Sequence, residues 1–195
     1  MASTARLAFI SLRLPYLVLA LVLFAAAPVS RADAPATDQA TREFEVRFMH
    51  AMVEHHMMAV HMGMICLDKA VHPELRAMCQ DIVTTQQEEI ATMEQWLAAW
   101  YGVAHEAHDM PPGHHVRMEK LAMLSNAEFE IAFMREMIRH HRMAVVKASQ
   151  CVAQAYHEEL QDMCSDIVTA QLAEIRKMED WLCQWYGVCR GRHTS

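Results

Sequence analysis

Glycine is scarce, five residues in 195, and none of them builds a phosphate-binding loop or a dinucleotide fingerprint. Basic side chains are also in deficit, with 17 Lys and Arg against 24 Asp and Glu and a net charge of −7. Such a surface repels nucleic acid and attracts cations. Nothing resembles a nucleophile set beside its base, and no C-x-x-C-H haem-attachment motif is present. Beyond residue 27 no apolar run is long enough to span a membrane. Apolar residues are not lacking: at 53% they exclude disorder for most of the chain, whose length suits one domain with a continuous core.

The one long apolar run, residues 14–27, follows Arg6 and Arg13 and precedes Ser30 and Ala32 at the two small-residue positions of a cleavage site. Residues 1–32 therefore read as a secretory signal cut after Ala32, which predicts a periplasmic or secreted protein. An uncleaved anchor is the alternative, disfavoured because the run falls short of the roughly 30 Å that a bilayer requires. Cleavage removes three arginines and no acids, leaving 14 basic against 24 acidic residues and a charge of −10. The six cysteines, Cys66, Cys79, Cys151, Cys164, Cys183 and Cys189, are an even number in an exported chain, which favours disulfides.

A shift of 85 residues superposes "EFEVRFMHAMVEHHMMAV" on "EFEIAFMREMIRHHRMAV", and "MCQDIVTTQQEEIATMEQWLAAWYGV" on "MCSDIVTAQLAEIRKMEDWLCQWYGV". More than half the aligned positions are identical, so the chain is an internal duplication. Repeat 1 covers residues 41–103, a His- and Met-containing linker residues 104–126, and repeat 2 residues 127–189, all within one domain over 33–195. Each repeat has two segments of helical period around a short turn, "AVHPE" and "AYHEE". Pro73 suits a helix start, Gly102 and Gly187 suit C-terminal caps, and Ser125 with Glu128 has the form of a capping box. The expected fold is all-α: an antiparallel four-helix bundle made of two duplicated hairpins. In the linker, Pro111, Pro112 and Gly113 form a break, and residues 116–124 suit one short helix. Residues 33–40 and 190–195 read as loose ends.

A short turn makes its helices antiparallel, so residues that face each other across a hairpin have numbers of nearly constant sum. Cys66 and Cys79, near the first turn, sum to 145; Cys151 and Cys164 sum to 315. The same sums set His56 opposite Glu89 and Met52 opposite Met93, then His141 opposite Glu174 and Met137 opposite Met178. His55 and His140 fall at the edge of these levels. A carboxylate on a core seam is costly unless it is paired or coordinating. A plain His–Glu pair among packing methionines is the structural alternative. The recurrence of the group, its methionines and its His–His pairs favour metal.

Thioether sulfur is soft, and together with imidazole it selects copper, most naturally Cu(I), or Ag(I), with Cu(II) also accessible to the histidines. One seam glutamate per repeat is too few for a di-iron centre, and structural zinc would favour cysteines that here pair with one another. "FMHAMVEHHMMAVHMGM", residues 48–64, holds six methionines and four histidines. Met49, and Met134 in the second copy, join the inward face. A second stripe, His50, Glu54, Met57, His61 and Met64, is replaced in repeat 2 by Arg135, Arg139, Arg142, Val146 and Ser149. It is either a further copper surface or a cover for the linker. His105, His108, Met110, His114 and His115 are linker ligands for capture or transfer, or simply solvated. Cys183 and Cys189 either bridge the end of the last helix or form another Cu(I) site.

The pattern "F-M-x-x-M-[IV]-x-H-H-x-M-A-V" followed by "Q-x-x-E-I-x-x-M-x-x-W-L" resembles the family called domain of unknown function 305, in both copies. That resemblance implies a ferritin-like helical fold, copper binding and copper tolerance outside the cytoplasm. It marks Met52, His55, His56, Glu89 and Met93, with Met137, His140, His141, Glu174 and Met178, as the recurring positions. Met57, Met58, Arg142 and Met143 depart from the family pattern, and the cysteine pairs are unusual for it. The expectation is a non-enzymatic protein that sequesters or relays Cu(I), with a copper-donor or copper-acceptor protein as a further partner. The alternatives are a copper or iron oxidase, a bundle holding b-type haem between Met and His, and a structural or partner-binding bundle with Trp96, Trp100, Trp181 and Trp185 as an aromatic end cluster.

Overall fold

The computed structural model describes residues 34–106 and 112–189. The signal segment 1–32, His108, Met110 and the tail 190–195 lie outside the described residues. Five helices account for the fold: α1 (Gln39–Lys69), α2 (Pro73–Tyr101), α3 (Pro112–Met123), α4 (Asn126–Gln154) and α5 (Glu158–Tyr186). No strand occurs among the described residues, and none of the helices is long and apolar enough to cross a membrane.

Local chemistry sets the helix ends. Asp38 caps α1, its Oδ1 accepting from the Thr41 amide at 2.8 Å, a bond worth about 1 kcal/mol. The helix consequently begins within the segment expected to be loose. Ala36 is buried there, and Ala34 O accepts from His157 Nε2 at 2.9 Å, so residues 34–40 are docked rather than free. Pro73 opens α2, where its missing N–H costs nothing. Gly102 and Gly187 close α2 and α5 at φ of 64° and 67°, the left-handed cap that glycine adopts without a Cβ penalty. Ser125 does precede α4, but its side chain makes no capping bond, so the expected capping box is absent. The linker helix α3 starts at Pro112, four residues earlier than its apolar pattern suggested.

Each repeat is a hairpin of two long helices. Disulfides Cys66–Cys79 and Cys151–Cys164 cross the hairpins just beyond the turns, each with Cα atoms 6.1 Å apart. Closing a loop of this size is worth about 3 kcal/mol in the chain-entropy account. Cys183–Cys189 pins the end of α5, and no cysteine is free. Near the first disulfide Gly63 allows α1 and α2 to approach: a Cβ there would stand 2.7 Å from Val83 Cγ2.

The hairpins meet through α1 and α4, with α3 laid against both. Glu45, early in α1, reaches the α4–α5 turn, and Glu130, early in α4, reaches the α1–α2 turn. The two central helices are therefore antiparallel, related by an approximate dyad that follows the duplication. Two apolar clusters fill the interior. One joins Met49, Met52, Met93 and Leu97 to Ala144, Ala148 and Leu160. The other joins Phe133, Met134, Met137 and Met178 to Ala59, Met62 and Leu75.

Candidate metal centre

At mid-length the dyad brings four histidines into the core. His56 and His141 are fully buried, while His55 and His140 are 3% and 7% exposed. His55 and His140 face one another across the α1–α4 interface with ring centroids 3.6 Å apart. They lie at the centre of the protein rather than at the edge of a level, because the sequence sums describe one hairpin and this contact belongs to the pairing of two. His56 Nε2 stands 2.8 Å from Glu89 Oε2, and His141 Nε2 2.7 Å from Glu174 Oε2. The facing His–Glu pairs drawn from the constant sums are thus present in both hairpins.

These contacts lack the alignment of a hydrogen bond, and neither ring nitrogen of His55, His56, His140 or His141 has a hydrogen-bond partner. Each buried polar group left in this state costs about 1–3 kcal/mol. Burial, then the fields of His56, Lys147 and His141, push His55 down to about 3. Burial, then His55, His141 and His56, hold His140 well below the usual imidazole range. At neutral pH both rings are uncharged, the form that ligates metals.

Beneath the two glutamates a cavity of about 10 Å³ lies between α2 and α5, lined by Gln86, Glu89, Gln171 and Glu174. Gln86 Oε1 and Gln171 Oε1 are buried without partners too. Among the described residues, no three His, Cys, Asp or Glu side chains converge in a way that would hold a metal ion. With every cysteine bridged, thioethers are the remaining soft donors. Met52 and Met93, one turn from His56 and Glu89 on the same seam, are fully buried, as are Met137 and Met178 in the second hairpin and Met49 and Met134 beside them. A shell of one imidazole, one carboxylate edge and thioethers fits a soft cation and suits a hard one poorly.

The chain matches the family described as "Domain of unknown function (DUF305)" over residues 45–182. It belongs to the DUF305 family. Among solved structures it is similar to CopM in the Cu(I)-bound form at 34% identity and TM-score 0.66, covering 73% of this chain and 98% of that one. CopM is also solved with Cu(II) and with Ag, both at 34% identity. A DUF305 protein from Streptomyces coelicolor is 28% identical, with TM-score 0.67, covering 78% of this chain and 98% of its own. A DUF305 fragment from Deinococcus radiodurans is 29% identical, with TM-score 0.65, covering 76% and 97%. No curated protein matches the chain.

The remaining candidate ligands of this DUF305 chain separate into groups. The outer stripe of α1 meets the linker: His50 Nδ1 lies 2.9 Å from His105 Nδ1, and His61 Nδ1 lies 3.3 Å from His114 Nε2. Met57 packs on an apolar cluster, Met64 is 58% exposed, and His115 is exposed with its ring 6.4 Å from that of His114. The tryptophans form two stacked pairs at opposite ends instead of one cluster. Trp96 pairs with Trp100, which stacks on His157; Trp181 pairs with Trp185, which stacks on His72.

Those two histidines belong to a device that sequence patterns did not reveal. Glu45, fully buried, accepts from the Tyr156 and His157 amides at 2.5 and 3.0 Å and contacts His157 Nδ1 at 2.7 Å and the Tyr101 hydroxyl. Glu130 repeats this with the Val71 and His72 amides at 2.6 and 2.8 Å, His72 Nδ1 at 2.6 Å and the Tyr186 hydroxyl. Burial raises the Glu130 pKa, but the bonds from Tyr186, His72 and Val71 outweigh it and hold the carboxyl below its ordinary value. The phenols respond oppositely: burial and then the adjacent carboxylate push Tyr101 and Tyr186 far upward. The signal that could have found the clamps was the identity of these Glu, His and Tyr residues in both copies.

Proposed function

We propose that this DUF305 protein is an exported, non-enzymatic carrier that sequesters or relays Cu(I), and accepts Ag(I), through two dyad-related levels. Met52, His56, Glu89 and Met93 form one level of a four-helix bundle core, and Met137, His141, Glu174 and Met178 the other, with His55 and His140 between them. The observation that carries this reading is the set of four buried imidazoles without hydrogen-bond partners, beside fully buried methionines. A protein that had no use for them would gain stability from leucine at those positions. Copper and silver in the similar CopM structures support the same cargo. The signal-like segment supports export.

The test is an anaerobic Cu(I) titration of the chain lacking residues 1–32 against a competing chelator. Met52→Leu with Met137→Leu preserves volume, so helix content should be unchanged. Cu(I) affinity should fall at least tenfold. Wild-type affinity in the double variant would remove the core of the proposal.

A further inference from the structure

A cavity of about 300 Å³ lies between α1, α3 and α4, away from the two His–Glu contacts. Met58 and Met62 of α1, His114 and Met118 of α3, and His140 and Met143 of α4 line it. His114 is 2% exposed, and its Nε2 lies 3.3 Å from Nδ1 of His61, which follows Met58 by one turn. Arg117 and Arg139 also line the cavity, against one carboxylate, Glu136, which is bonded to Arg139.

We infer that the His61–His114 contact, whose His114 lines this cavity, is a separate binding site for one monovalent soft cation, Cu(I) or Ag(I), with His61 Nδ1 and His114 Nε2 as nitrogen donors and the cavity-lining thioethers of Met58, Met62 and Met118 completing the shell. Nitrogens 3.3 Å apart leave room for one ion to bridge them, subtending roughly 105–110° at metal–nitrogen distances of about 2.0–2.1 Å. Two features narrow the class of ion. Imidazole nitrogen and thioether sulfur suit a soft ion. The lining has an excess of positive charge, and its repulsion doubles from a monovalent to a divalent guest, so Zn(II) and Cu(II) are disfavoured. The donors are distinct from those of the central levels, so the site does not depend on them. Its wall includes His140, which places an occupant next to the His55–His140 pair, at a port to the interior.

The test is Ag(I) binding, a redox-inert probe, measured by equilibrium dialysis on the chain lacking residues 1–32. His61→Asn with His114→Asn should lose one equivalent of Ag(I) and leave the others at wild-type affinity. Met58→Leu with Met118→Leu, which conserves volume and fold, should weaken one equivalent at least tenfold. Wild-type stoichiometry and affinity in both variants would overturn the site. Displacement of that equivalent by excess Zn(II) would overturn its assignment to monovalent ions. Met52→Leu with Met137→Leu separates the two proposals: if it has no effect while His61→Asn with His114→Asn loses an equivalent, the port stands and the central levels fall. The reverse pattern removes the port alone.

Discussion

The ends and the middle of this protein bury similar groups and treat them oppositely. At the ends, Glu45 and Glu130 are buried carboxylates whose lone pairs are filled by two turn amides, an imidazole and a phenol. In the middle, four histidines are buried and none has a hydrogen-bond partner, although His56 and His141 each keep a carboxylate oxygen beside them at 2.8 and 2.7 Å. A buried polar group with every partner supplied rigidifies a fold, whereas one without partners is a cost the fold must recover elsewhere. The ends build the protein; the middle holds donors ready for a ligand.

The largest effect expected from breaking this contrast is at the ends. Glu130→Ala leaves two amides, His72 and Tyr186 without their acceptor and should lower unfolding free energy by about 3–5 kcal/mol, read from urea midpoints. A loss below 1 kcal/mol would mean that the clamps are ornamental. The middle should behave otherwise. His55→Leu with His140→Leu replaces polar rings that lack hydrogen-bond partners by apolar side chains, so metal-free stability should hold or rise, with no loss beyond about 1 kcal/mol. A loss matching that at Glu130 would show that the central histidines are structural.

The smallest effect is in the pH dependence. Because the folded pKa of Glu130 lies below its unfolded value, its contribution is present above the unfolded pKa and disappears as pH falls through the folded one. The metal-free protein should therefore lose stability in acid more steeply than Glu130→Gln does. Parallel curves for the two, from pH 6 to pH 3, would remove the carboxylate from the acid response.

What the sequence disclosed follows the range of each interaction. Helical period, turn residues and the duplication are local or repetitive, and they locate α1, α2, α4 and α5. The constant-sum relation needs only a tight turn and the Cys66–Cys79 pair to set its register, and it places His56 opposite Glu89. The clamps escaped because Glu45 and His157 are 112 residues apart in sequence and their meeting depends on how two hairpins dock. The same dependence on docking hid the His55–His140 contact. The methionine-lined cavity needed α3 in place, and the pattern there located a short helix without saying which surface it covers.

The reciprocal clamps also bear on ancestry. Each hairpin carries both halves of the lock, a glutamate near its start and receptive amides at its turn, and the dyad makes them complementary to the same features of another copy. Two identical hairpins could therefore close on each other as a symmetric homodimer, with no new contact required. In this chain the linker joins such a pair into one polypeptide. The two halves are no longer identical: the first carries the methionine- and histidine-rich outer stripe where the second carries Arg135, Arg139 and Arg142.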